Sequence, residues 1–157
     1  MSEVPVLYFF VRTDLPSMTP GKAQAHSGHA ANAFINQHYI KKATSTSNLP
    51  VREWMAETPF GFGTQINLKG DWDDVVETAA AVEEDGKGLC ELIVDPTYPY
   101  IVDSEIVGLI DRKLHTVPPK AIGDGRWVCH RSEATAVYIF GYKDDLEPYV
   151  GKYPLHP

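Results

Sequence analysis

The sequence predicts a single α/β domain of three layers, with helices on both faces of a mixed, roughly four-stranded sheet. Two observations predict this class. The 157 residues fit one domain of about 100–200 residues, and a composition of 43% hydrophobic and 22% charged residues is that of a globular protein rather than a disordered one. Along the chain, strand-like apolar runs alternate with helix-like amphipathic stretches, which is typical of α/β sheets. We therefore treat residues 1–157 as one domain.

The first strand and the first helix carry the clearest signals. Residues 4–11 are apolar, aromatic and β-branched without polar alternation, which predicts a central strand buried on both faces. Thr19 and Pro20 then predict a helix start, because a Thr side chain caps free N–H groups and Pro is tolerated at the first helical position. We expect this helix to continue to about Lys42.

The next elements follow from composition and periodicity. Residues 43–50 are small, polar and end in proline, which predicts a loop. Residues 64–69 alternate polar and apolar side chains, as a half-exposed strand does. Asp71 can cap a helix with a broad apolar face from Trp72 to about Asp85.

A third strand is predicted from Leu89 to Val94, and the strand–helix order up to this point indicates parallel crossovers. The pattern is weaker from Pro96 to Arg131, which we interpret as an insert that includes a helix from Glu105 to Leu114. Ala134 to Phe140 predicts a fourth strand. The tail from Tyr142 is polar and proline-rich and predicts no element.

Charge and cysteine content limit the function classes. With 14 Lys and Arg against 21 Asp and Glu, the net charge of −7 opposes indiscriminate phosphate binding, so a nucleic-acid contact needs a local basic patch. Adjacent basic pairs occur only at residues 41–42 and 112–113. Two cysteines without a C-x-x-C spacing predict a reducing compartment. The N-terminal residues fit neither a secretory signal nor a membrane span, so we expect a cytoplasmic protein without membrane contact.

The functional residue types are densest where the first strand ends and the first helix begins. Ligands of open α/β sheets gather at this position, and a helix N-terminus favours anions. Lys22, His26 and His29 are spaced to project from one face of the helix. The ordinary alternative is a solvated lysine and a hydrogen-bonded core histidine. The H-x-x-H pair lacks the glutamate of a zinc-protease helix, so we predict no metal site.

A second candidate is Asp95, which follows the apolar run of the third strand. A carboxylate there can orient a water molecule or accept its proton, and the alternative is an aspartate that caps a turn. The chain has no G-x-S-x-G motif for a nucleophilic serine. In a strand, Cys129 and His130 would point to opposite faces, which argues against a Cys–His pair and favours a structural cysteine.

These residues resemble the signature of the class II peptidyl-tRNA hydrolase family. The family joins a hydrophobic strand ending in R-x-D-L to a helix carrying G-K-x-x-A-Q-x-x-H-A. Here the strand ends in RTDL at residues 12–15, and the helix reads GKAQAHSGHA at residues 21–30, with His26 where the family has Gln. Asp95 matches the aspartate after the family's third strand. In the last strand, Ala136 stands where the family has a threonine, and Thr135 lies one place earlier.

The resemblance implies an α/β fold and hydrolysis of the ester that joins a peptide to the 3′ ribose of tRNA, a role in translation that uses no cofactor. It implies that Lys22, His29 and Asp95 are catalytic. We expect further residues of the first block and of the Asp95 turn to bind substrate, namely Arg12, Asp14, Gly21, His26 and Thr97. Lys22 would bind phosphate or stabilise the oxyanion, and a histidine would assist proton transfer.

Two other functions are compatible with the same residues. The chain could be an inactive or repurposed member of the fold that binds a nucleotide, a small phosphorylated ligand or a protein partner, since fold does not determine function. It could also hydrolyse another ester or amide linked to a nucleotide. The sequence leaves open whether the protein forms a homodimer.

Overall fold

The computed structural model describes residues 4–41, 49–109 and 117–156. The chain folds into an α/β structure, which confirms the predicted fold class. In chain order its elements are β1 (Pro5–Val11), α1 (Pro20–Phe34) continued by a π-helical turn (Ile35–Ile40), α2 (Leu49–Ala56), β2 (Gln65–Leu68), α3 (Trp72–Glu84), β3 (Leu89–Asp103), α4 (Ser104–Val107), β4 (Lys120–Gly123), β5 (Arg126–Tyr142) and α5 (Lys143–Val150).

The strands form one mixed sheet in the order β2-β1-β5-β3, with β4 paired to the outer part of β5. Strand β1 is parallel to β2, whereas β5 is antiparallel to both β1 and β3. Strands β1, β2 and β3 therefore share one direction, as the crossover pattern predicts. The predicted crossovers imply that β3 pairs with another parallel strand, and this is wrong. β3 pairs with the antiparallel β5, which lies between β1 and β3, because the order of strands along the chain does not reveal which strands are neighbours.

Every residue of β1 is buried, as its unbroken apolar run predicts. Alternate side chains enter two cores, one on each face of the sheet. One core contains α1 and α2 and is built from large aromatic and aliphatic side chains, among them Leu7, Phe9, Phe34, Trp54 and Phe140. The other contains α3 and α5 and includes Tyr8, Phe10, Val75, Val82 and Leu146. The three predicted layers follow from these two cores.

Both predicted helix caps are present. The side chain of Thr19 accepts a hydrogen bond from the Lys22 N–H, and that of Asp71 accepts from the N–H groups of Asp73 and Asp74. These bonds satisfy donors that the first turn of a helix leaves free. The first helix ends near its predicted position, although its last six residues adopt π-helical geometry.

Two helices were not predicted. Helix α2 begins at Leu49, inside the predicted loop 43–50, and buries Val51 and Trp54; residues 42–48 lie outside the described residues. Helix α5 occupies the polar tail and buries Leu146 and Val150, although Pro148 lies inside it. Both helices have eight residues. Such short segments carry little periodic signal, and packing against the sheet stabilises them.

The third and fourth predicted strands are too short. β3 continues to Asp103 and β5 begins at Arg126, so the described parts of the predicted insert 96–131 extend both strands into a β-ribbon beyond β1. Pro96 and Pro99 interrupt the apolar pattern of β3 and conceal this continuation. The predicted helix 105–114 corresponds in the described residues to the short α4, and residues 110–116 lie outside them. No helix of the described ranges is long and apolar enough to cross a membrane.

Candidate active site

Two irregularities in the pairing of β3 with β5 shape the surface beside α1. The first lies in β5 at Thr135. Ile93 pairs with Ala136 and Val94 with Ala134, so Thr135 is an extra residue in its strand. Regular alternation would place Thr135 on the face opposite Ala136. The bulge instead brings its hydroxyl within 3.1 Å of Nδ1 of His26, on the α1 side.

The second irregularity lies in β3 after Asp95. Asp95 pairs with Glu133 and Tyr98 with Arg131, so β3 advances three residues while β5 advances two. Side chains three residues apart in a regular strand point to opposite faces. The extra residue brings Tyr98 to the side of α1, where its ring contacts His26, and the Asp95 charge acts on the same imidazole. Bulges are common beside active sites for this reason.

Helix α1 supplies the opposite wall through Lys22, His26 and His29. As their spacing predicts, the three side chains form one cluster: the His26 and His29 rings pack edge to face with centroids 5.5 Å apart. His26 is buried, Lys22 is half-buried and His29 is exposed. The Lys22 ammonium lies 5.6 Å from the centroid of the Tyr98 ring. The sequence also allowed a purely structural interpretation, with a solvated lysine and a hydrogen-bonded core histidine. His26 fits the second part of that interpretation, because it is buried and hydrogen-bonded.

The electrostatic environment keeps His26 neutral. Burial lowers its pKa below the ordinary value of 6.5, and the charges of His29 and Lys22 act in the same direction, while the Asp95 carboxylate opposes them. When the Thr135 hydroxyl donates to the Ile93 carbonyl at 3.4 Å, it accepts the Nδ1 proton of His26. Nε2 then carries the lone pair, and His26 can accept a proton there.

Asp95 serves a local turn as well as the cluster. Its Oδ1 accepts hydrogen bonds from the backbone N–H of Thr97 at 2.8 Å and from the Thr97 hydroxyl at 3.1 Å. The sequence indicates that Asp95 follows the end of its strand. In the structure, β3 instead continues beyond the bulge to Asp103. Asp95 therefore also caps a turn, which was the alternative role that the sequence allowed for it. The two bonds orient the carboxylate and leave Oδ2 outside this turn.

Arg12 and Asp14 lie in a second, adjacent cluster. The Arg12 guanidinium binds both Asp14 oxygens, at 3.0 and 2.6 Å, and Glu133 at 2.8 Å, and it stacks over Trp72. The hydrogen bond that Arg12 donates to Asp14 is the main cause that raises the pKa of Arg12, and the same bond lowers the pKa of Asp14. Arg12 and Asp14 are thus paired with each other, and together with Trp72 they also line a cavity of about 390 Å³.

The Arg12 cluster supports the site indirectly. The backbone N–H of Arg12 donates to the carbonyl of Thr135 at 2.9 Å, and its guanidinium reaches Glu133 and the carbonyl of Ala134. Arg12 thus bonds to three consecutive residues of the β5 bulge. We interpret Arg12 as a clamp that holds Thr135 in position.

Two other predicted features contribute less. Gly21 is exposed, and a Cβ there would meet no atom within 4 Å, so close approach does not require glycine. Lys41 ends the helical run that begins at Pro20, roughly 25–30 Å from Lys22 by the helical rise per residue. Lys41 therefore does not supply the local basic patch that a nucleic-acid contact at this site needs. Lys42, Arg112 and Lys113 lie outside the described residues.

A cavity of about 120 Å³ lies on another face of α1, at the carboxyl ends of β1 and β2. Its polar lining comes from Gln24, Ser27, Asn67 and His156, none of which the sequence singled out. This is the usual ligand position in open α/β sheets. The cavity lies at the end of the sheet where the sequence predicts functional residues.

Neither cysteine is a nucleophile in this arrangement. Burial raises the pKa of the Cys90 thiol to about 12 and also raises that of Cys129, which is fully buried. Thiols become reactive when their pKa is lowered, so both remain protonated at neutral pH. In the described residues, no group of three or more His, Cys, Asp or Glu side chains is placed to hold a metal ion.

The chain matches no protein-family model and no curated protein sequence. The resemblance to class II peptidyl-tRNA hydrolases therefore rests on the motif residues alone. Sequence reasoning missed three side chains that border the two clusters, Tyr98, Glu133 and Trp72. One signal was available for Tyr98: proline inside a strand is confined to edges and bulges, so Pro96 indicates the irregularity that places Tyr98.

Proposed function

We propose that the protein is an esterase of the peptidyl-tRNA hydrolase type, which cleaves the ester between a peptide and the 3′ ribose of tRNA. The observation that carries this proposal is the convergence of Lys22, His26 and Asp95 beside the Thr135 hydroxyl. Ester hydrolysis needs a positioned water, an acceptor for its proton and a donor at the developing oxyanion. The cluster contains a residue type suited to each task.

In this proposal water is the nucleophile. Asp95, oriented by Thr97, positions the water near the ester carbonyl, and the neutral His26 accepts a proton at Nε2. Collapse of the tetrahedral intermediate releases the ribose 3′ oxygen, which takes up a proton. His29 is exposed beside His26 and can deliver that proton from solvent. The catalytic role of His29 that the resemblance implies becomes that of a proton shuttle.

Lys22 stabilises negative charge in this scheme. No described residue forms a hydrogen bond or an ion pair with its side-chain ammonium, so its three donors remain available to substrate oxygens. A cation without a carboxylate partner keeps its full charge for the oxyanion or for a phosphate. By contrast, Arg12 is neutralised by Asp14 and Glu133.

The β-ribbon supplies the surface on which an RNA end can rest. It is joined to the site by Ser17, whose hydroxyl donates to the Pro99 carbonyl at 2.7 Å. Arg131 lies on the ribbon with half of its side chain exposed, and its guanidinium stacks on Tyr100 at 5.0 Å. Arginine and aromatic groups are the types that contact unpaired nucleotides. Because Arg131 also pairs with Glu133 at 2.7 Å, the ribbon offers an RNA end a stacking surface rather than free positive charge.

The test is hydrolysis of an N-blocked aminoacyl-tRNA by the purified protein at low and moderate salt. We expect release of the free N-blocked amino acid and intact tRNA, with a rate that falls as salt rises because tRNA binding is electrostatic. The free aminoacyl-tRNA, with its charged amino group, is the matched control substrate. A folded, RNA-free preparation that releases no product would contradict the proposal.

His26→Gln tests the pH dependence that this scheme predicts. Because the pKa of folded His26 lies below 6.5, the wild-type kcat/KM should fall only as the pH is lowered past that pKa. Gln keeps a hydrogen-bonding group for Thr135 but does not titrate, so we expect a lower plateau without this acid limb. The check is a pH–rate profile between pH 4.5 and 8, roughly the range in which histidines titrate.

The same lowered pKa affects stability. His26 binds a proton more readily in the unfolded chain than in the folded chain, so protonation favours unfolding. The free energy of unfolding should therefore be highest above about pH 6.5, where His26 is neutral in both states, and should decrease as the pH falls below that value. Unfolding measured at each pH separates lost catalysis from lost structure. An acid limb that persists in the His26→Gln variant would exclude His26 as its source.

The cavity beside α1 favours a second candidate function, the binding of a small polar ligand. Gln24, Ser27 and Asn67 present amide and hydroxyl groups, and its lining contains no Lys or Arg from the described residues. Such a lining suits an uncharged polar group better than a phosphate. If the protein proves inactive on peptidyl-tRNA, a ligand of this kind becomes the favoured alternative.

A further inference from the structure

We infer that Tyr98 is a positioning residue, whose ring face holds the Lys22 ammonium and the His26 imidazole in the geometry that the reaction uses. The inference rests on the proposed function and extends it to a residue outside the motif block. Tyr98 lies on β3 directly after the bulge, whereas Lys22 and His26 lie on α1. The ring therefore connects the two walls of the site.

The contacts of the ring define this role. Tyr98 is 1% exposed, so its ring is held rigidly by its surroundings. The Lys22 Nζ lies 5.6 Å from the ring centroid, within the range of a cation–π interaction. The His26 ring lies 6.2 Å away at a tilt of 41°. One fixed side chain thus contacts both the cation and the proton acceptor.

An aromatic ring is a suitable holder for a catalytic cation. A carboxylate partner would fix the ammonium but would also neutralise it and occupy its donors, as Asp14 does for Arg12. The π face attracts the cation while leaving its N–H groups for substrate oxygens. The Tyr98 ring can therefore restrain the Lys22 ammonium without neutralising it.

The Tyr98 hydroxyl makes it possible to test whether the ring or the hydroxyl group carries the role. It is buried and makes no hydrogen bond with any described residue. An unsatisfied buried hydroxyl costs free energy, so its removal should not reduce stability. The ring alone is therefore the functional part, and phenylalanine should replace tyrosine.

The experiment compares Tyr98→Phe with Tyr98→Leu. We expect the Phe variant to retain most of the wild-type kcat and the Leu variant to lose about tenfold in kcat with little change in KM. Ile139→Ala, a buried substitution on the opposite face of the sheet, controls for destabilisation alone. In a Lys22→Met background, Tyr98→Leu should cause a much smaller further loss, because the two side chains act together.

A second readout does not require activity. The ε-methylene protons of Lys22, assigned through Lys22→Arg, should resonate upfield of those of other lysines because they lie over the ring. We expect the upfield shift to persist in Tyr98→Phe and to vanish in Tyr98→Leu. A wild-type protein with this shift but no hydrolysis would refute the proposed function while confirming the contact with Tyr98.

Two results would overturn the inference. A Leu variant that keeps the wild-type kcat and the Lys22 shift would show that the ring positions nothing. A Phe variant as impaired as the Leu variant would assign the role to the hydroxyl instead.

Discussion

Replacing Lys22 with alanine should lower kcat/KM on an N-blocked aminoacyl-tRNA by about 10²- to 10³-fold, the loss typical when an oxyanion donor is removed. Lys22 is a half-buried cation in the cluster, and no described residue pairs with its ammonium. The fold should remain intact, because the helix cap uses the Lys22 backbone N–H rather than its side chain. Single-turnover rates at subsaturating enzyme, with tRNA limiting, measure kcat/KM directly.

Lys41→Ala is the matched control for this prediction. It also removes one lysine from the same helical run, at the end remote from the cluster, where Lys41 contacts Gln37. We expect it to change the rate by less than about twofold and to alter mainly the salt dependence. Equal losses in the two variants would mean that Lys22 contributes only general attraction for RNA.

Asp95→Asn should reduce the same rate by about 10²-fold or more, because the neutral amide lacks the carboxylate charge that positions the attacking water for proton transfer to His26. The amide oxygen can still accept the two bonds from Thr97, so the turn after Asp95 should persist. Asp124→Asn, at the exposed tip of the ribbon, is the charge-matched control. An active Asp95→Asn variant would remove this carboxylate from the mechanism and leave it the turn-capping role alone.

Phe34→Ala should produce the largest loss of stability, about 3–5 kcal/mol, which is the range for deleting a buried aromatic ring. Phe34 is fully buried at the centre of the α1–α2 core, and its ring packs against Trp54, Tyr138 and Phe140. The deletion leaves a cavity that this rigid aromatic cluster cannot close. Urea-induced unfolding with a linear extrapolation gives the free energy of unfolding.

Phe60→Ala provides the comparison for Phe34. It removes the same side chain from a position that is 82% exposed, so we expect the free energy of unfolding to change by less than about 0.5 kcal/mol. A small loss in the Phe34 variant would mean that the helix can shift to fill the space. The His38–Tyr138 bond at 2.7 Å, next to Phe34, opposes such a shift.

The sequence predicted those elements whose signals are local. β1 is an unbroken apolar run, and α1 and α3 begin at residues whose side chains cap them. These signals depend on near neighbours along the chain, so composition and spacing suffice. The short helices α2 and α5 were missed because their stability comes from contacts with distant strands.

The candidate site divides in the same way. The spacing of Lys22, His26 and His29 on one helix was sufficient to predict that they cluster, because the helical repeat is regular. The strand residues that contact this cluster could not be predicted from the alternation of side chains along a regular strand. Thr135 and Tyr98 reach the α1 side because each strand contains one extra residue, and the ion pair of Arg12 with Glu133 joins residues that are far apart in the chain.

By itself, then, the sequence determined the α/β class, the buried central strand, the capped helices and the face of α1 that carries Lys22. The tertiary structure decided that β5 lies between β1 and β3 and that two bulges bring Tyr98 and Thr135 to that face. The reason is physical. Helix caps and amphipathic faces depend on residues a few positions apart. The bulges depend on residues about 40 positions apart and the β1–β5 pairing on residues more than 120 apart, whose contacts exist only after the chain has folded.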